Sequence, residues 1–554
     1  MLPMPARRLA ASILFVAAWL GGAAPALAQA QADADTLRGI VAAAHHPGLK
    51  QPNFPDFQAT AERFYDPTGY APAWLDGLQP RRQSLQVVEI LRAAGSHGLN
   101  PEDYDVQWIA ARLEAAAVLT PQERAELDAA ISVSLFRYLS DVRMGRVDPR
   151  NLQFKFDLAL KKYDLATLVR DALAADNLPQ AAAAAAPQVP MYEILRRALP
   201  HYRRLAADTS LKPLPVVPKL EPGMPYSGSA ALQRLLVAVG DMQPAAKAPP
   251  RYDGQLVEAV KRFQARHGLA ADGVIGKGTF AALNTPMSWR VRQIVLSLER
   301  MRWLPPFDAK RLIGVNIPEF ALRAFDLGPD GMRTRFRMKV IVGKAVDTTR
   351  TPVFVEDMRH IEFSPFWNVP PSIAGEEVLP KLRRDPGYLA KEGMEFVSTN
   401  DSRTISTAVT PENLAAVSRG QMRIRQRPGN RNPLGDIKFV LPNNMNIYLH
   451  HTSSVRLFQR PRRDFSHGCI RVEDPVRLAL FVLEDQPDWT EERIRKAMEG
   501  DKMRSLRLAT PVPVMIFYLT VTAEDDGRVL FLPDIYDHDR TLDQALRFGH
   551  PRPA

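Results

Sequence analysis

With 554 residues, 46% of them apolar and 24% charged, the chain is too long for one hydrophobic core and too apolar for bulk disorder, so several globular units are expected. A formal charge of +11 suits anionic partners of many kinds, whether wall polymer, anionic lipid or nucleic acid, and selects none of them. The single cysteine rules out an internal disulfide, so this thiol needs another account.

Residues 1–28 predict a secretory signal. Arg7-Arg8 precede the apolar run Leu9 to Leu20, and Ala26-Leu27-Ala28 is a small-x-small cleavage site. The run is shorter than the roughly 20 residues a bilayer core demands, so no stable membrane span is expected after cleavage. From 33 to 210, amphipathic stretches such as Leu85 to Ala94 and Arg124 to Val142 predict a helical scaffold domain. Ala181 to Ala186, closed by Pro187, reads as a loop or a helix extension. His45, His46, His97 and His201 lack the spacing of metal ligands and read as surface or core histidines.

Pro213, Pro215, Pro218, Pro222 and Pro225 make 211–225 an extended linker. Within 226–285, Leu256, Val260 and Phe263 share one helix face, Gly268-Leu269 ends that helix, and Asp272-Gly273 supplies a turn. A connecting helix is expected over 286–310. From 311 to 540 the chain turns to strands: Leu312 to Ile317, Phe336 to Val342, Ile437 to Leu441 and Met445 to His450, the last two joined by a turn at Asn443-Asn444. A second hairpin is expected between Val514–Val521 and Val529–Leu532, across Asp525-Asp526-Gly527. Between about 371 and 428 prolines interrupt the strand pattern and short helical pieces such as Glu376 to Arg383 appear, so this part reads as an insertion or lid.

A thiol attacks as thiolate, and a catalytic cysteine needs a base and a site for the oxyanion that forms. His467 precedes Cys469 by two residues, so on extended backbone both face one way, and Gly468 between them permits close approach of a substrate. The backbone N–H groups of Gly468 and Cys469 are candidate oxyanion donors. Alternation on the preceding strand puts Asn446, Tyr448 and His450 on one face and Met445, Ile447 and Leu449 on the core face. Tyr448 is then placed to donate a hydrogen bond and His450 to accept the thiol proton, with His451 pointing away. Arg471 shares the face of Cys469 and is suited to a substrate carboxylate, against the alternative of a surface ion pair. Asp474-Pro475 fit the cap and first turn of a helix. The basic run Arg456, Arg460, Arg462 and Arg463 reads either as a solvated face or as an anion-binding patch.

His450 followed by Ser466-His467-Gly468-Cys469-Ile470-Arg471 resembles the L,D-transpeptidase (YkuD-type) signature. Phe263-Gln264, Gly268-Leu269, Asp272-Gly273, Gly276, Thr279 and Leu283 resemble a three-helix peptidoglycan-binding-like module, with a plain spacer as the alternative. With Trp367-Asn368-Val369-Pro370-Pro371 and the insertion after it, the whole resembles the large YcbB-type branch of that family. The fold this implies is multidomain α+β: a mainly β catalytic domain with an inserted lid, the small three-helix domain and a helical N-terminal scaffold.

The activity implied is a two-step acyl transfer in the periplasm. Cys469 attacks a tetrapeptide stem after diaminopimelate, D-alanine leaves, and an amine of a second stem takes the acyl group. By the same resemblance His450 is the base, and Tyr448 with the backbone at Gly468 and Cys469 forms the oxyanion hole. His467 shapes the thiolate environment, and Arg471, Trp367 and Ser466 meet substrate. Acylation of Cys469 by carbapenems is also implied. His451 stands where the family more often has Asp, Gly or Ser, and no side chain completes a triad, which leaves that part to a backbone carbonyl. No metal or other cofactor is implied. Peptidoglycan stem peptides are the expected partners, other cell-wall synthases are further candidates, and nucleic acid is not expected. Two rivals stay open: an L,D-carboxypeptidase or hydrolase on the same scaffold, and a catalytically inactive wall-binding scaffold.

Overall fold

The computed structural model describes residues 31–161, 164–244, 251–346, 348–401 and 403–548. The predicted signal at 1–28 lies outside them. Among the described residues no helix is long and apolar enough to cross a membrane.

The N-terminal helices gather around α1 (Pro121–Met144), which is buried along nearly its whole length. Its start is written in sequence: Thr120 accepts from the Glu123 N–H, the Glu123 carboxylate accepts from the Thr120 N–H, and Pro121 opens the first turn. A helix enclosed on all sides must satisfy its polar groups internally. Asp128 does so by accepting from the Tyr65 hydroxyl at 2.7 Å and the Trp74 N–H at 2.9 Å, while the Trp74 indole donates to Ser132 at 2.8 Å. Ala181 to Ala186 lies mostly in a helix, Leu178–Ala185, as alanine's propensity and a proline in the first turn favour.

Helices α2 (Ser229–Ala238), α3 (Gly254–Arg266) and α4 (Lys277–Leu283) close over their own apolar core of Leu232, Leu236, Leu256, Val260, Phe263 and Phe280. The proline-dense stretch 211–225 carries no helix, and Asn284 holds it by accepting from the Leu214 N–H and donating to the Leu214 carbonyl. Helix α5 (Met287–Arg302) then ties the parts together. Glu299 accepts from the backbone N–H groups of Arg146 and Val147 and pairs with Arg302, and Arg300 pairs with Asp539 near the C-terminus.

Nine strands form the main sheet: β1 (Arg311–Asn316), β2 (Ala321–Gly328), β3 (Gly331–Gly343), β4 (Phe354–Phe363), β5 (Ile437–Val440), β6 (Leu449–His450), β7 (Asp464–Ser466), β8 (Ile470–Val472) and β9 (Arg504–Phe517). Their order is β7-β3-β8-β6-β5-β4-β9-β1-β2. Because β3 pairs with β8 at Val340 and Ile341 and also with β2 along 331–339, the sheet closes on itself like a small barrel. The apolar side of this ring is filled by buried residues such as Leu312, Val340, Phe363, Leu449, Ile470 and Ile516.

Three expectations change. The Val514–Val521 run is not one strand: its first half ends β9 beside β1 and β4, and Val521–Ala523 pairs with Val529–Phe531 in a separate hairpin. The stretch 371–428 is not merely an interruption of strands. Trp367–Asn368, Met422–Gln426, Met394–Ser398 and Ile405–Ser406 form a four-stranded sheet. Short helices pack on it around a core of Val378, Leu379, Leu382, Leu389, Phe396 and Ile424. Strands this short show themselves only through pairing. Met445 to His450 is the third correction, and it shapes the site.

Candidate active site

Only Leu449 and His450 of the predicted strand enter the ladder: β5 pairs with them antiparallel, and β8 lies parallel on the other side with Leu449 opposite Ile470 and His450 opposite Arg471. The residues before them are shaped by one side chain instead. Asn443 accepts from the N–H groups of Met445 and Ile447 and donates to the carbonyls of Leu441 and Ile447, and Asn446 sits at φ +57. This left-handed kink, which asparagine tolerates, breaks the strict alternation. Tyr448 and His450 nonetheless remain neighbours, with ring centroids 5.7 Å apart.

β7 ends at Ser466, and the chain then turns through Gly468 at φ +116, where a Cβ would also meet Ile447 at 3.2 Å. The turn is braced from within and from behind. Ser466 Oγ donates to the Cys469 carbonyl at 2.6 Å and accepts from the Gly468 N–H at 3.1 Å. Thr351, 2% exposed, donates through Oγ1 to the Gly468 carbonyl at 2.7 Å and accepts from the Gly343 N–H at 2.8 Å. Tyr536 backs this brace by donating to the Gly343 carbonyl at 2.6 Å and accepting from the Thr351 N–H at 3.2 Å.

Cys469 lies half-buried, its Sγ 3.4 Å from the Asn446 carbonyl to which the thiol donates. Burial pushes the thiol pKa up, opposed by hydrogen bonds from the N–H and O–H of Tyr448 and by the positive charges of Lys438 and Arg471. Burial and the neighbouring Cys469 hold the Tyr448 phenol well above its ordinary range. Lys438 stands 4.5 Å over the Tyr448 ring and pairs with Glu362 at 3.1 Å. His450 is 3% exposed and, through Nδ1, donates to the His451 carbonyl at 2.5 Å. Burial first, and Arg471 second, bring its pKa down to about 3. At neutral pH the pair is therefore thiol and neutral imidazole. With Nδ1–H committed to a carbonyl, Nε2 keeps its lone pair.

These groups line a cleft of about 530 Å³ to which Tyr448, His450, Ser466, His467, Cys469, Arg471 and Trp367 all contribute. Arg471 makes no ion pair among the described residues, and its buried Nε has no hydrogen-bond partner. A guanidinium without a counter-charge, held in a cleft, is prepared for a carboxylate. The other wall comes from the insertion, including Glu376, Glu377, Tyr388 and Glu392. His467 is exposed and its Nε2 lies 2.8 Å from Glu377 Oε1. His451 is not among the cleft residues and its ring meets Asp436 at 3.1 Å.

The basic run before the motif divides. Arg463 is buried and donates to the carbonyls of Val340, Phe320 and Arg460, Arg462 pairs with Asp464, and Arg456 and Arg460 are exposed. It is thus not a single anion-binding face. Sequence reasoning missed Glu377, Thr351 and Lys438, which reach the site from other elements, and no local pattern marks them. Among the described residues no group of three or more His, Cys, Asp or Glu is placed to hold a metal ion.

Residues 310–514 match the model of an L,D-transpeptidase catalytic domain, 227–283 that of a putative peptidoglycan binding domain, and 59–199 that of a scaffold domain. A putative L,D-transpeptidase of Haemophilus influenzae is 31% identical over 254 residues, 46% of this chain and 49% of that protein. The match thus spans about half the length of the curated relative. Among solved structures, an L,D-transpeptidase from Xylanimonas cellulosilytica is 16% identical and covers 55% of this chain and 99% of its own, with a TM-score of 0.17. A fused Zn-dependent amidase/peptidase/peptidoglycan-binding domain-containing protein from Clostridium acetobutylicum is 12% identical, covers 54% and 99%, and scores 0.16. Superpositions that poor carry no argument about this chain.

Proposed function

We propose that this chain, which carries an L,D-transpeptidase catalytic domain at 310–514 and a putative peptidoglycan-binding domain at 227–283, crosslinks peptidoglycan stem peptides through an acyl-enzyme at Cys469. The observation that carries the reading is the convergence of Cys469, His450, Tyr448 and an unpaired Arg471 in one cleft. As Sγ attacks the carbonyl of diaminopimelate, His450 Nε2 takes the thiol proton, and the His451 carbonyl keeps the resulting imidazolium oriented. Tyr448 O–H and the Cys469 N–H receive the oxyanion, since the Gly468 N–H already serves Ser466 Oγ. Collapse breaks the bond to D-alanine, whose amine leaves with the proton from His450, and a thioester remains. An amine of a second stem then attacks the thioester, His450 takes and returns a proton, and the thiol is restored as the diaminopimelate–diaminopimelate bond forms. Arg471 binds a substrate carboxylate throughout.

In this reading residues 1–28 direct export to the periplasm, the 226–285 module docks on wall polymer, the 33–210 helices serve as scaffold, and the 371–428 insertion covers the cleft. Purified protein incubated with tetrapeptide stems is expected to release D-alanine and to yield new dimers. Lone tripeptides in place of dimers would make it a hydrolase. Wild-type protein giving the same products as Cys469→Ala would make it a non-catalytic wall-binding protein.

A further inference from the structure

A polar contact ties the two walls of the cleft, and it falls two residues from Cys469. Glu377, on the insertion, meets Nε2 of His467 at 2.8 Å, two residues before Cys469. We infer that Glu377 is a positioning residue: it acts through His467, so that the seating of the insertion sets the orientation of an imidazole that shares the cleft with Cys469. The inference rests on the transpeptidase reading above.

Three features support it. Glu377 does not sit on a loose loop. It lies in a π-helical turn, Ala374–Val378, whose Ala374 and Val378 are buried in the insertion's own core while Glu376 and Glu377 are left exposed towards the cleft. A π-turn carries one extra residue per turn, shifting the side chains beyond it around the helix axis, and such turns are frequent at functional sites. Secondly, the insertion has its own sheet and core, so it moves or stays as a unit, and a contact made by its π-turn reports the position of the whole. Thirdly, the carboxylate fixes the proton inventory of His467. Glu377 only accepts, so Nε2 carries the hydrogen and a neutral His467 keeps its lone pair on Nδ1. A histidine with both ring nitrogens free rotates and exchanges tautomers. One held by a carboxylate presents a single face to the neighbouring Gly468–Cys469 turn.

The mutational cycle on these two residues is the test, read as initial rate of D-alanine release from a tetrapeptide stem by the full-length protein. Glu377→Ala is expected to lower kcat roughly tenfold with little change in KM, as misorientation of a catalytic neighbour does. In a His467→Ala background the same change should have no further effect, because the carboxylate then has nothing to orient. Glu377→Gln, whose amide oxygen still accepts from Nε2–H, should recover most of the rate. Equal losses with and without His467 would overturn the inference, as would wild-type kcat in Glu377→Ala or a loss confined to KM. Melting temperatures measured alongside separate these outcomes from unfolding, since a fold defect would persist in Glu377→Gln and in the double variant. Wild-type protein that releases no D-alanine would instead remove the transpeptidase reading and this assignment with it.

Discussion

The two walls of the cleft are built on opposite plans. On the sheet side the proposed reacting groups are fixed by hydrogen bonds to the backbone: His450 to the His451 carbonyl, the Gly468 turn by the hydroxyls of Thr351 and Ser466, Tyr448 by its place between Asn443's turn and β6. On the insertion side the groups that face the cleft include the exposed carboxylates of Glu376 and Glu377 on a short helical turn over a separate small core. The contrast teaches a division of labour. Bond-making chemistry tolerates misplacement of only a fraction of an ångström, and a braced sheet wall suits it, whereas recognition and covering can be delegated to a module that packs by itself.

If the sheet wall holds the chemistry, its variants should have the largest effects. His450→Gln, which removes the base but keeps a polar side chain, is expected to lower kcat by about 10²–10⁴-fold, measured as D-alanine release. Arg471→Lys keeps the charge and loses the planar fork, and should raise KM roughly tenfold to a hundredfold, the worth of charge-assisted hydrogen bonds. An unchanged KM would move carboxylate recognition to another group. Thr351→Val leaves the Gly468 carbonyl and Gly343 N–H buried without their partner. It should lower stability by about 1–3 kcal/mol in urea unfolding and reduce kcat through the displaced turn, whereas comparable changes at exposed Glu376 should leave stability unchanged.

The smallest effect concerns pH. His450, His97 and His538 are held neutral by burial, each with its pKa down to about 3. Unfolded histidine takes a proton below about 6.5. The stability these sites contribute is thus fully present above about 6.5 and is lost as pH falls from there towards 3. Melting temperatures should decline through that window, and His450→Gln should flatten the decline.

The sheet wall was also the legible one. Cys469, Tyr448, His450 and Arg471 lie close together in sequence, and local spacing was enough to place them in one cleft even though Asn446's left-handed turn spoiled the strand they were read on. The insertion was not legible in the same way. Met422–Gln426 alternates arginine with Met422, Ile424 and Gln426, the last two buried, and becomes a strand only because Met394–Ser398 pairs with it. Glu377 and Thr351 reach the site across long stretches of chain, and nothing beside either residue announces its destination. The Val514–Val521 run failed for a related reason: continuous apolar character shows that a segment is buried, not which partner buries it.

The burial that raises the pKa of the Cys469 thiol bears also on its oxidation. Oxidants such as peroxides attack thiolates far faster than thiols, and each step beyond sulfenic acid is hard to reverse. A chain with one cysteine has no second thiol of its own to resolve an oxidised sulfur. Resting as a protonated thiol, with its hydrogen directed at the Asn446 carbonyl, Cys469 is a poor target for such oxidants. The same burial that holds the proton on the sulfur therefore also protects it from oxidation.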